Sequence, residues 1–521
     1  MRLASIQGNI NANNINHDSG VAIFEDNKIT QILLEERYSR KKHDGRYPRR
    51  CLIGSKVDTY AINFYNEEYF IRALSKNNDS KFESLNSKQK YYHHICHVLE
   101  SFYFSGFTSS AVLVVDGWGD CDESVSLWSI DSNYDIKLHK IYDKSHSLGV
   151  FYSRCNAWSG LNPNGIFGLE GKFMGLTSYG TPKQNHIFEF DIEKGLIING
   201  SSEDLFGVYS YINNKSQESN IIHYNNFAAT IQRDFNDAVM KLIHYIKELT
   251  GENNLCLSGG CFQNVIVNNM VCESGIFGNI YCSPFPSDGG CAVGNGVYHM
   301  VKNKKLTPRI EQVKHAYWGE EYPDEKILLC IDKEKYFIEN ITTQEIAKLL
   351  SENKILAWFQ DRSEYGPRAL GHRSLIGNPG NRENFNILNN KIKQRENWRP
   401  LAPSIPDELF DILFDVKSKD LTQFMLRSIP IKEKWRSRIP AVCHVDGTTR
   451  PQRLEREINP EYYDMIMEFY KITGLPCIIN TSFNGPGEPI IENPKEALNF
   501  LDKTPDLYGI IFNGKYLVRE K

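Results

Sequence analysis

The chain has 521 residues, of which 41% are hydrophobic and 24% are charged, and its formal net charge at pH 7 is -4. This length exceeds what one ordinary hydrophobic core supports, so we expect two domains. The balanced charge gives no reason to expect non-specific binding to nucleic acid or to membranes. No apolar run has the length of a secretory leader or a bilayer span, so we expect a cytoplasmic protein.

Two strands around a polar loop open the chain. Residues 3–7 read as a short strand, and residues 21–24 and 29–34 flank a turn as a hairpin. His17-Asp18-Ser19-Gly20, just before the hairpin, is small and polar, as a phosphate-facing turn would be. An Asx-type turn explains the same residues equally well.

A histidine pair and an aspartate form the first candidate site. His93 and His97 lie four residues apart in a segment that reads as helix, so both imidazoles project from one face. The apolar run 111–115 predicts a buried strand that ends at Asp116, where α/β folds place ligands. Two imidazoles and a carboxylate suit zinc or iron. Hydrogen-bonded helix histidines and a turn aspartate explain the pattern as well, because the pair alone lacks further ligands.

Two glycine turns in the middle of the chain each follow a predicted strand. Residues 254–257 lead into Ser258-Gly259-Gly260 with Asn264 behind it, and Asp288-Gly289-Gly290 precedes another helix. Glycines admit a ligand and a helix N-terminus offers free N–H groups, which indicates a nucleotide cradle, with a plain tight turn as the alternative. Glycine-punctuated residues 147–152 and 170–180, which include Lys172, would also let backbone approach a ligand.

The first part of the chain reads as two βαβ-like halves. Each half opens with a strand pair and has acidic residues at strand ends and a Gly-Gly turn before a helix. They predict an α/β protein with the duplicated fold of actin, Hsp70 and sugar kinases. In that fold Asp288 becomes a fourth metal ligand.

A polar, irregular stretch over residues 301–340 predicts a connector that ends the first domain, residues 1–340. The second domain, residues 341–521, carries clustered cations in loops shaped by glycine and proline, which fits a phosphate or carboxylate site better than a solvated basic surface. These cations are Arg362, Arg368, His372, Arg373, Lys391, Lys393, Arg395 and Arg399. Arg450 and the strand end Asn480, Ser482 and Asn484 follow.

Together these motifs resemble the NodU/TobZ family of O-carbamoyltransferases, in order over essentially the whole chain. The resemblance rests on His17-Asp18-Ser19, Glu35-Glu36-Arg37, Lys42-His43-Asp44, residues 93–97, Val115-Asp116-Gly117, residues 171–176, Ser258-Gly259-Gly260 with Asn264, Asp288-Gly289-Gly290, residues 364–374, 395–403, 444–450 and 480–484. The chain departs from the family at Cys261-Phe262, Asp361 and Thr177-Ser178. None of these is a proposed ligand, although Cys261 and Phe262 could reshape the adenine pocket.

The resemblance implies a two-step enzyme. A YrdC-like α+β C-terminal domain would make carbamoyl adenylate from carbamoyl phosphate and ATP with Mg, releasing phosphate and pyrophosphate. An N-terminal domain similar to the TsaD-type threonylcarbamoyl transferases would hold that adenylate at a mononuclear iron, with zinc less expected, and pass the carbamoyl group to a hydroxyl of a small molecule. A Lewis-acid metal suits this step, since charge develops on the carbonyl.

The resemblance also implies roles for particular residues. It gives His93, His97, Asp116 and Asp288 to the metal, and His17 or Asp18 to deprotonation of the acceptor. Lys172, Gly259, Gly260 and Asn264 would bind the adenylate. Carbamoyl phosphate and ATP would contact residues of the second domain: Arg368, Arg373, Lys393, Arg395, Arg399, Arg450, Asn480, Ser482 and Asn484.

Two other functions compete with this interpretation. A small-molecule kinase of the actin-like class leaves the His-x-x-x-His pair and the arginine-rich domain without a purpose. The second is a tRNA-modifying relative or a non-catalytic nucleotide-binding module. The acidic pI and the lack of a basic stripe in this sequence argue against a tRNA partner. We therefore expect neither a nucleic-acid nor a membrane partner. The sequence leaves open the acceptor and the oligomeric state, for which a homodimer is one alternative.

Overall fold

The structure is a computed structural model that describes residues 2–8, 18–26, 28–46, 48–52, 57–63, 81–84, 89–158, 168–199, 221–306, 311–396 and 398–521. The chain forms two compact units. One consists of Met1–Asn86 together with Val313–Lys521, and the other is Ser87–Gln312. The boundary at residue 340 inferred from the sequence stays a prediction.

The N-terminal residues form a five-stranded sheet in the discontinuous unit. Its strands are β1 (Arg2–Gln7), β2 (Gly20–Glu25), β3 (Lys28–Leu34), β4 (Thr59–Asn63) and β5 (Lys81–Ser84). The order is β3-β2-β1-β4-β5, with β1 antiparallel to β2 and parallel to β4. The β2–β3 pair confirms the predicted hairpin. Helix α1 (Glu35–Ser39) follows β3.

The second unit contains another five-stranded sheet. Its strands are β6 (Ser109–Val115), β7 (Glu123–Asp131), β8 (Ile136–Asp143), β11 (Asn254–Ser258) and β12 (Asn279–Cys282). The order is β12-β11-β6-β7-β8, in which β6 is antiparallel to β7 and parallel to β11. A separate pair is formed by β9 (Phe188–Asp191) and β10 (Gly195–Ile198).

Both five-stranded sheets share one topology. In each sheet, three antiparallel strands that are consecutive in the sequence occupy one side. Two later strands occupy the other side and run parallel to the first strand of these three. The repeat confirms the α/β class and the duplicated actin/Hsp70-like fold.

The helices of the second unit cover its sheet. They are α2 (Tyr92–Ser105), α3 (Leu148–Trp158), α4 (Glu170–Leu176), α5 (Ile221–Thr250), α6 (Val265–Ser274) and α7 (Cys291–Lys302), with 3-10 turns at Lys144–His146, Thr177–Tyr179, Gly260–Gln263 and Asp288–Gly290. The glycine-punctuated segments near residues 150 and 172 are mainly helices, and their close approach to a ligand stays a prediction. A Cβ atom added at Gly149 would lie 2.9 Å from the Asp116 carbonyl oxygen, so this glycine serves close packing.

The C-terminal residues of the discontinuous unit form an eight-stranded mixed sheet of order β13-β22-β21-β14-β15-β20-β16-β19. The strands are β13 (Tyr336–Asn340), β14 (Leu356–Phe359), β15 (Arg373–Gly377), β16 (Ala402–Pro406), β19 (Gln452–Leu454), β20 (Ile478–Ser482), β21 (Gly509–Phe512) and β22 (Tyr516–Glu520), with a small pair β17 (Ile429–Pro430) and β18 (Thr448–Thr449). The sheet has an extensive apolar core that includes Trp358, Phe359 and Ile479.

Helices pack on this mixed sheet as in an α+β fold. They are α8 (Asp324–Leu328), α9 (Thr343–Ser351), α10 (Arg382–Asn386), α11 (Asp407–Leu413), α12 (Glu433–Arg436), α13 (Pro460–Thr473) and α14 (Pro494–Asp502), with a 3-10 turn at Thr422–Phe424 and a π-helical turn at Ile387–Ile392. A further 3-10 turn, Arg50–Leu52, contacts α1 and β2 near the start of the chain. Within the described residues, no helix combines the length and the apolar character needed to cross a bilayer.

The predicted connector contains more regular structure than expected. Helix α7 continues to Lys302, α8 forms within it, and β13 at its end pairs with β22. This strand lies at a sheet edge, where only Tyr336 is buried while Phe337, Glu339 and Asn340 are exposed. Its sequence therefore lacks the alternation of apolar and polar residues that predicts a strand.

Candidate functional site

Three secondary-structure elements of the second unit bring the predicted metal ligands together. His93 and His97 face the same way from α2, a helix buried on all sides. Asp116 follows the end of β6, and Asp288 begins the 3-10 turn after β12. Parallel pairing of β6 with β11 and of β11 with β12 aligns these strand ends. The structure thus groups all four predicted ligands.

The four side chains approach one another at ligand distances. His93 Nε2 lies 3.2 Å from His97 Nε2, 3.2 Å from Asp116 Oδ2 and 3.5 Å from Asp288 Oδ1. His97 Nε2 lies 3.7 Å and 3.8 Å from the same two oxygens. A tetrahedral ion with bonds of about 2.1 Å holds its ligands about 3.4 Å apart. The cluster therefore fits one ion bound by two nitrogens and two oxygens, a donor set that suits iron or zinc.

Neighbouring groups fix the orientation of two of these side chains. The backbone N–H of Gly260 donates to Asp116 Oδ1 at 2.9 Å, which leaves Oδ2 for the histidines. The hydroxyl of Ser258 lies 3.1 Å from His97 Nδ1, which leaves Nε2 for an ion. Such outer hydrogen bonds set the tautomer of a ligating histidine. The intervening His94 instead contacts Ser126 Oγ at 2.6 Å.

Burial makes the charges in this cluster interact strongly. Burial opposes the charged form of His93, but the Asp288 and Asp116 carboxylates outweigh it and hold the pKa of His93 well above its usual value. Hydrogen bonds from His93 and His97 outweigh burial and hold the pKa of Asp116 well below its usual value. The two carboxylates thus create a negative potential at the histidine nitrogens, and the same potential favours a bound cation.

The discontinuous unit contains a second cluster, made of cations. Burial lowers the pKa of Arg450, and repulsion from Arg368, Arg395 and Arg399 lowers it further. Lys393 is also buried, and Arg395 and Arg399 likewise oppose its charge. The structure thus brings together five basic residues that the sequence assigned to carbamoyl phosphate and ATP.

Three arginines of this cluster have guanidinium nitrogens without a partner in the part of the protein that the structure describes. Among the described residues, no carboxylate forms an ion pair with Arg368, Lys393, Arg395 or Arg450. Arg368 Nε, Arg395 Nη2 and Arg450 Nε are buried without a hydrogen-bond partner. A buried donor left unpaired costs about 1–3 kcal/mol, and more when it is charged. An anion with several oxygens would satisfy these donors, so the cluster fits a phosphate-bearing ligand.

Polar residues of the strand end β20 anchor Lys393. Its Nζ donates to Ser482 Oγ at 3.1 Å, to the Asn484 carbonyl at 3.1 Å and to the Ser482 carbonyl. Ser482 Oγ in turn donates to Asn484 Oδ1 at 2.7 Å. Ser482 and Asn484 therefore belong to the cation cluster, as predicted.

Arg373 and Asn480 are committed to protein contacts instead. The Arg373 guanidinium donates to the carbonyl oxygens of Gln360, Asp361, His372 and Glu492 and stacks 3.5 Å from the centre of the Phe359 ring. The Asn480 amide donates to Ser404 Oγ and Gln452 Oε1, both at 2.9 Å. These contacts favour a structural role for both residues, and their binding of ATP stays a prediction.

The predicted adenylate residues occupy different settings. A Cβ atom added at Gly259 would lie 2.3 Å from the Val115 carbonyl oxygen, so only glycine lets this turn meet β6. The Asn264 side chain caps α6 by accepting from the N–H groups of Ile266 and Val267, and it also pairs with Gln232. Lys172 lies on α4 and is partly exposed. Nucleotide binding by these residues stays a prediction.

The candidate general bases fall near the start of the chain. His17 lies outside the described residues. Asp18 Oδ1 lies 3.0 Å from His43 Nδ1, and both residues have positive φ angles, 70° and 54°. Non-glycine residues in this region carry backbone strain, which commonly occurs at functional sites. The observed pair makes His43 a candidate that the sequence interpretation did not name.

Sequence reasoning also missed supporting residues at both clusters. Ser258 was quoted only as part of a glycine turn, yet its hydroxyl faces His97. Lys42 was quoted within a charged run. Desolvation lowers its pKa, Glu36 partly offsets this, and Arg399 and Arg368 lower it again. In the sequence, only the motif that contains each residue indicated a role for it. The contacts of Ser258 and Lys42 join distant parts of the chain, and local sequence patterns do not predict them.

Comparisons with known proteins identify the family of this chain. Residues 53–297 match the family model described as carbamoyltransferase N-terminus, and residues 347–519 match carbamoyltransferase C-terminus. Nodulation protein NolNO of Sinorhizobium fredii is 30% identical over 98% of this chain and 80% of its own length. Nodulation protein NolO of Bradyrhizobium diazoefficiens is 31% identical over 82% and 79%. The Synechocystis protein sll1178 is 29% identical over 95% and 94%.

Solved structures have low similarity to this chain. The activator of the 2-hydroxyisocaproyl-CoA dehydratase from Clostridium difficile is 13% identical, with a TM-score of 0.35 over 58% of this chain and 97% of that chain. Full-length HypF is 14% identical, with a TM-score of 0.33 over 59% and 56%. The fold assignment therefore rests on the strand order. The family models and the nodulation proteins decide the family: the chain belongs to the carbamoyltransferases of the NodU/TobZ type.

Proposed function

We propose that this chain is an ATP-dependent O-carbamoyltransferase that acts in two steps. It makes carbamoyl adenylate from carbamoyl phosphate and ATP with Mg, releasing phosphate and pyrophosphate, and passes the carbamoyl group to a hydroxyl of a small molecule. The observation that carries the proposal is the presence of two different sites in one chain. A cation cluster with unpaired donors suits the first step, and a cluster of two imidazoles and two carboxylates suits the second.

In the first step the cation cluster binds and orients the phosphate groups. Arg368, Arg395 and Arg450 offer planar forks that match phosphate oxygens, and Arg399 adds positive charge. Lys393, held by Ser482 and Asn484, supplies a compact charge at a fixed position. Negative charge that develops on the phosphates as carbamoyl adenylate forms is stabilised by these preorganised donors. Arg373 and Asn480 support the loop and strands around them.

In the second step the residues of the second unit hold the metal and the adenylate. His93, His97, Asp116 and Asp288 would bind one iron ion, with zinc as the less expected alternative. When bound, that ion would polarise the carbamoyl carbonyl group as a Lewis acid. Gly259, Gly260, Asn264 and Lys172 would lie along the adenylate. The acceptor proton would pass to His17 or to Asp18, whose carboxylate orients His43.

The acceptor is proposed to be a hydroxylated natural product or sugar. The net charge of -4 provides no electrostatic attraction for a nucleic-acid acceptor. The test is to give the full chain ATP, Mg and labelled carbamoyl phosphate together with a panel of such compounds, and to analyse the products by mass spectrometry. We expect one acceptor to gain a carbamate, and only when ATP is present. Transfer of a phosphoryl group from ATP to the acceptor would show a kinase and refute the proposal.

The first step has a separate test that needs no acceptor. Replacing Arg368 by Ala should reduce carbamoyl-phosphate-dependent pyrophosphate release about 10- to 100-fold, since a charged hydrogen bond contributes about 1.5–3 kcal/mol. Lys391→Ala is the matched control, because Lys391 lies in the same region of the chain but is exposed and pairs with Asp506. Normal release from the Arg368 variant would remove this residue from the site.

A further inference from the structure

Cys291 places a buried thiol beside the metal cluster. It is the first residue of α7, three positions after Asp288, and it is fully buried. Its sulfur and one ring nitrogen from each of His93 and His97 all lie within 4.8 Å of one another. Among the residues that the structure describes, this sulfur has no hydrogen-bond partner. A fully buried polar atom without a partner thus faces two candidate metal ligands.

Close helix packing determines the position of this thiol. One turn along α7, a Cβ atom added at Gly294 would lie 1.9 Å from the carbonyl oxygen of Cys96, which lies on α2 between the two histidines. The helices therefore touch backbone to backbone at this point. A larger residue at Gly294 would separate them, so the glycine keeps the first turn of α7 against the imidazoles.

The thiol differs from the four predicted ligands in its chemistry. It groups with the two imidazoles but not with Asp116 or Asp288. Carboxylates prefer hard cations, whereas a thiolate prefers softer ions such as zinc, cobalt(II) or cadmium. The histidine pair therefore has two kinds of neighbour, and each kind favours a different ion.

We propose that Cys291 is a further ligand of the metal centre, which binds thiophilic divalent ions together with His93 and His97. This inference rests on the metal centre of the proposed function. Sulfur and nitrogen in a tetrahedral site lie about 3.6 Å apart, so the sulfur, now within 4.8 Å, approaches the imidazoles by up to about 1.2 Å on binding. The S–H bond breaks as the sulfur–metal bond forms, and the proton leaves to solvent. Iron and zinc would then differ in ligand set.

The test uses cobalt(II) bound to the full chain as a spectroscopic probe. We expect a sulfur-to-cobalt charge-transfer absorption in the near ultraviolet that is lost in Cys291→Ser and Cys291→Ala, although both variants still bind cobalt. Cys261→Ser is the matched control and should keep the absorption, because Cys261 lies beside the Asp116 backbone but outside the ligand group. The dissociation constant for cadmium should rise at least about tenfold in Cys291→Ser.

Two results would overturn the inference: absence of the absorption from the wild-type protein, or its persistence in both Cys291 variants. If those variants fail to fold, cobalt-edge X-ray absorption of the wild-type protein decides, because we expect sulfur among the nearest neighbours and a shell of only nitrogen and oxygen contradicts it. Cobalt bound through histidine without sulfur would refute this inference alone. Cobalt uptake undiminished in His93→Ala/His97→Ala would refute the metal centre and, with it, both proposals.

Discussion

Two serines stand in the same relation to two neighbouring histidines, but only one of these histidines is a candidate ligand. Ser258 contacts Nδ1 of His97, and Ser126 contacts Nδ1 of His94. Both serines are buried. The Ser258 hydroxyl fixes the tautomer of a candidate ligand, so its removal should affect metal binding. The Ser126 hydroxyl contacts His94, which is not a candidate ligand, so its removal should not.

We therefore predict that Ser258→Ala weakens metal binding about 10-fold, because outer hydrogen bonds to ligating histidines contribute that much to affinity. Ser126→Ala should leave the affinity unchanged. A competition titration against a chelator measures both values. Equal affinities for the two variants would mean that His97 does not bind the metal through Nε2.

The Asp18 and His43 pair gives a prediction about pH. Burial lowers the pKa of His43, but its hydrogen bond to the Asp18 carboxylate and the charge of that carboxylate outweigh burial and raise the pKa above 6.5. A raised histidine pKa stabilises the folded state below the unfolded value, and this stability is lost as pH rises through the folded value. Asp18→Asn should thus cost up to about 1 kcal/mol at pH 6, since the pair is partly exposed, and much less at pH 9.

Urea unfolding of wild-type and Asp18→Asn protein at the two pH values measures this difference. His186→Gln provides a comparison, because His186 forms an equally short pair with Asp234 in the other unit. An equal loss of stability for Asp18→Asn at pH 6 and pH 9 would mean that the pair does not stabilise a charged imidazole.

The sequence predicted which residues group together better than it predicted their individual contacts. The four candidate metal ligands and the five clustered cations were named from the sequence, and the family resemblance supplied their proposed roles. Arg373 was grouped with the ligand-binding arginines, yet four carbonyl groups occupy its donors. No local pattern distinguishes an arginine that binds phosphate from one that binds carbonyls of a distant loop.

At the scale of elements, the loop from Glu364 to Arg373 carries Arg368 to the cation cluster. Glu364 Oε1 accepts the backbone N–H groups of Leu370, His372 and Arg373 at 2.7, 2.8 and 3.0 Å. From outside, Arg37 donates to the carbonyls of Glu364 and Gly366. One carboxylate inside the loop and one guanidinium outside it fix the loop conformation.

Removing the carboxylate should therefore misplace Arg368. We predict that Glu364→Ala lowers the free energy of unfolding by at least about 2 kcal/mol, because three buried N–H groups lose their acceptor. Its KM for carbamoyl phosphate should rise. Glu364→Gln keeps an acceptor oxygen and should recover most of the stability. Urea unfolding and steady-state kinetics measure the two effects, and a stable Glu364→Ala with unchanged KM would contradict the proposed role.

The elements that the sequence predicted best have clear boundaries. The strand 254–257 corresponds to β11, and the apolar run 111–115 falls within β6. Glycine also has a packing role that the sequence did not reveal, as in α3, whose Gly149 lies against the Asp116 carbonyl. The sequence alone does not distinguish a glycine that packs in a helix from a glycine that lies beside a ligand. The atoms that surround the glycine in the structure distinguish the two cases.

At the scale of the molecule, the two clusters lie in different compact units. The metal cluster belongs to Ser87–Gln312, and the cation cluster belongs to the unit that combines both ends of the chain. The sequence predicted a boundary near residue 340 because the polar, irregular stretch 301–340 is typical of a connector. Hydrogen bonds join residues that are hundreds of positions apart in the sequence. The Ile32 N–H donates to the Trp318 carbonyl, and Arg40 donates to the Ile490 carbonyl. No local sequence pattern predicts such pairs.

Two clusters in separate units should support separable half-reactions. Loss of a metal ligand should stop transfer to an acceptor but leave adenylate formation intact. Loss of a cation should stop adenylate formation itself. Pyrophosphate release reports the first half-reaction without knowledge of the acceptor.

The most direct test of this account is to measure carbamoyl-phosphate-dependent pyrophosphate release from ATP by full-length wild-type, His97→Ala and Arg395→Ala proteins. We expect the wild-type protein and the His97 variant to release pyrophosphate at similar rates, and the Arg395 variant to be slower by about 10- to 100-fold. Loss of release in His97→Ala, or normal release in Arg395→Ala, would contradict the division of the reaction between the two clusters.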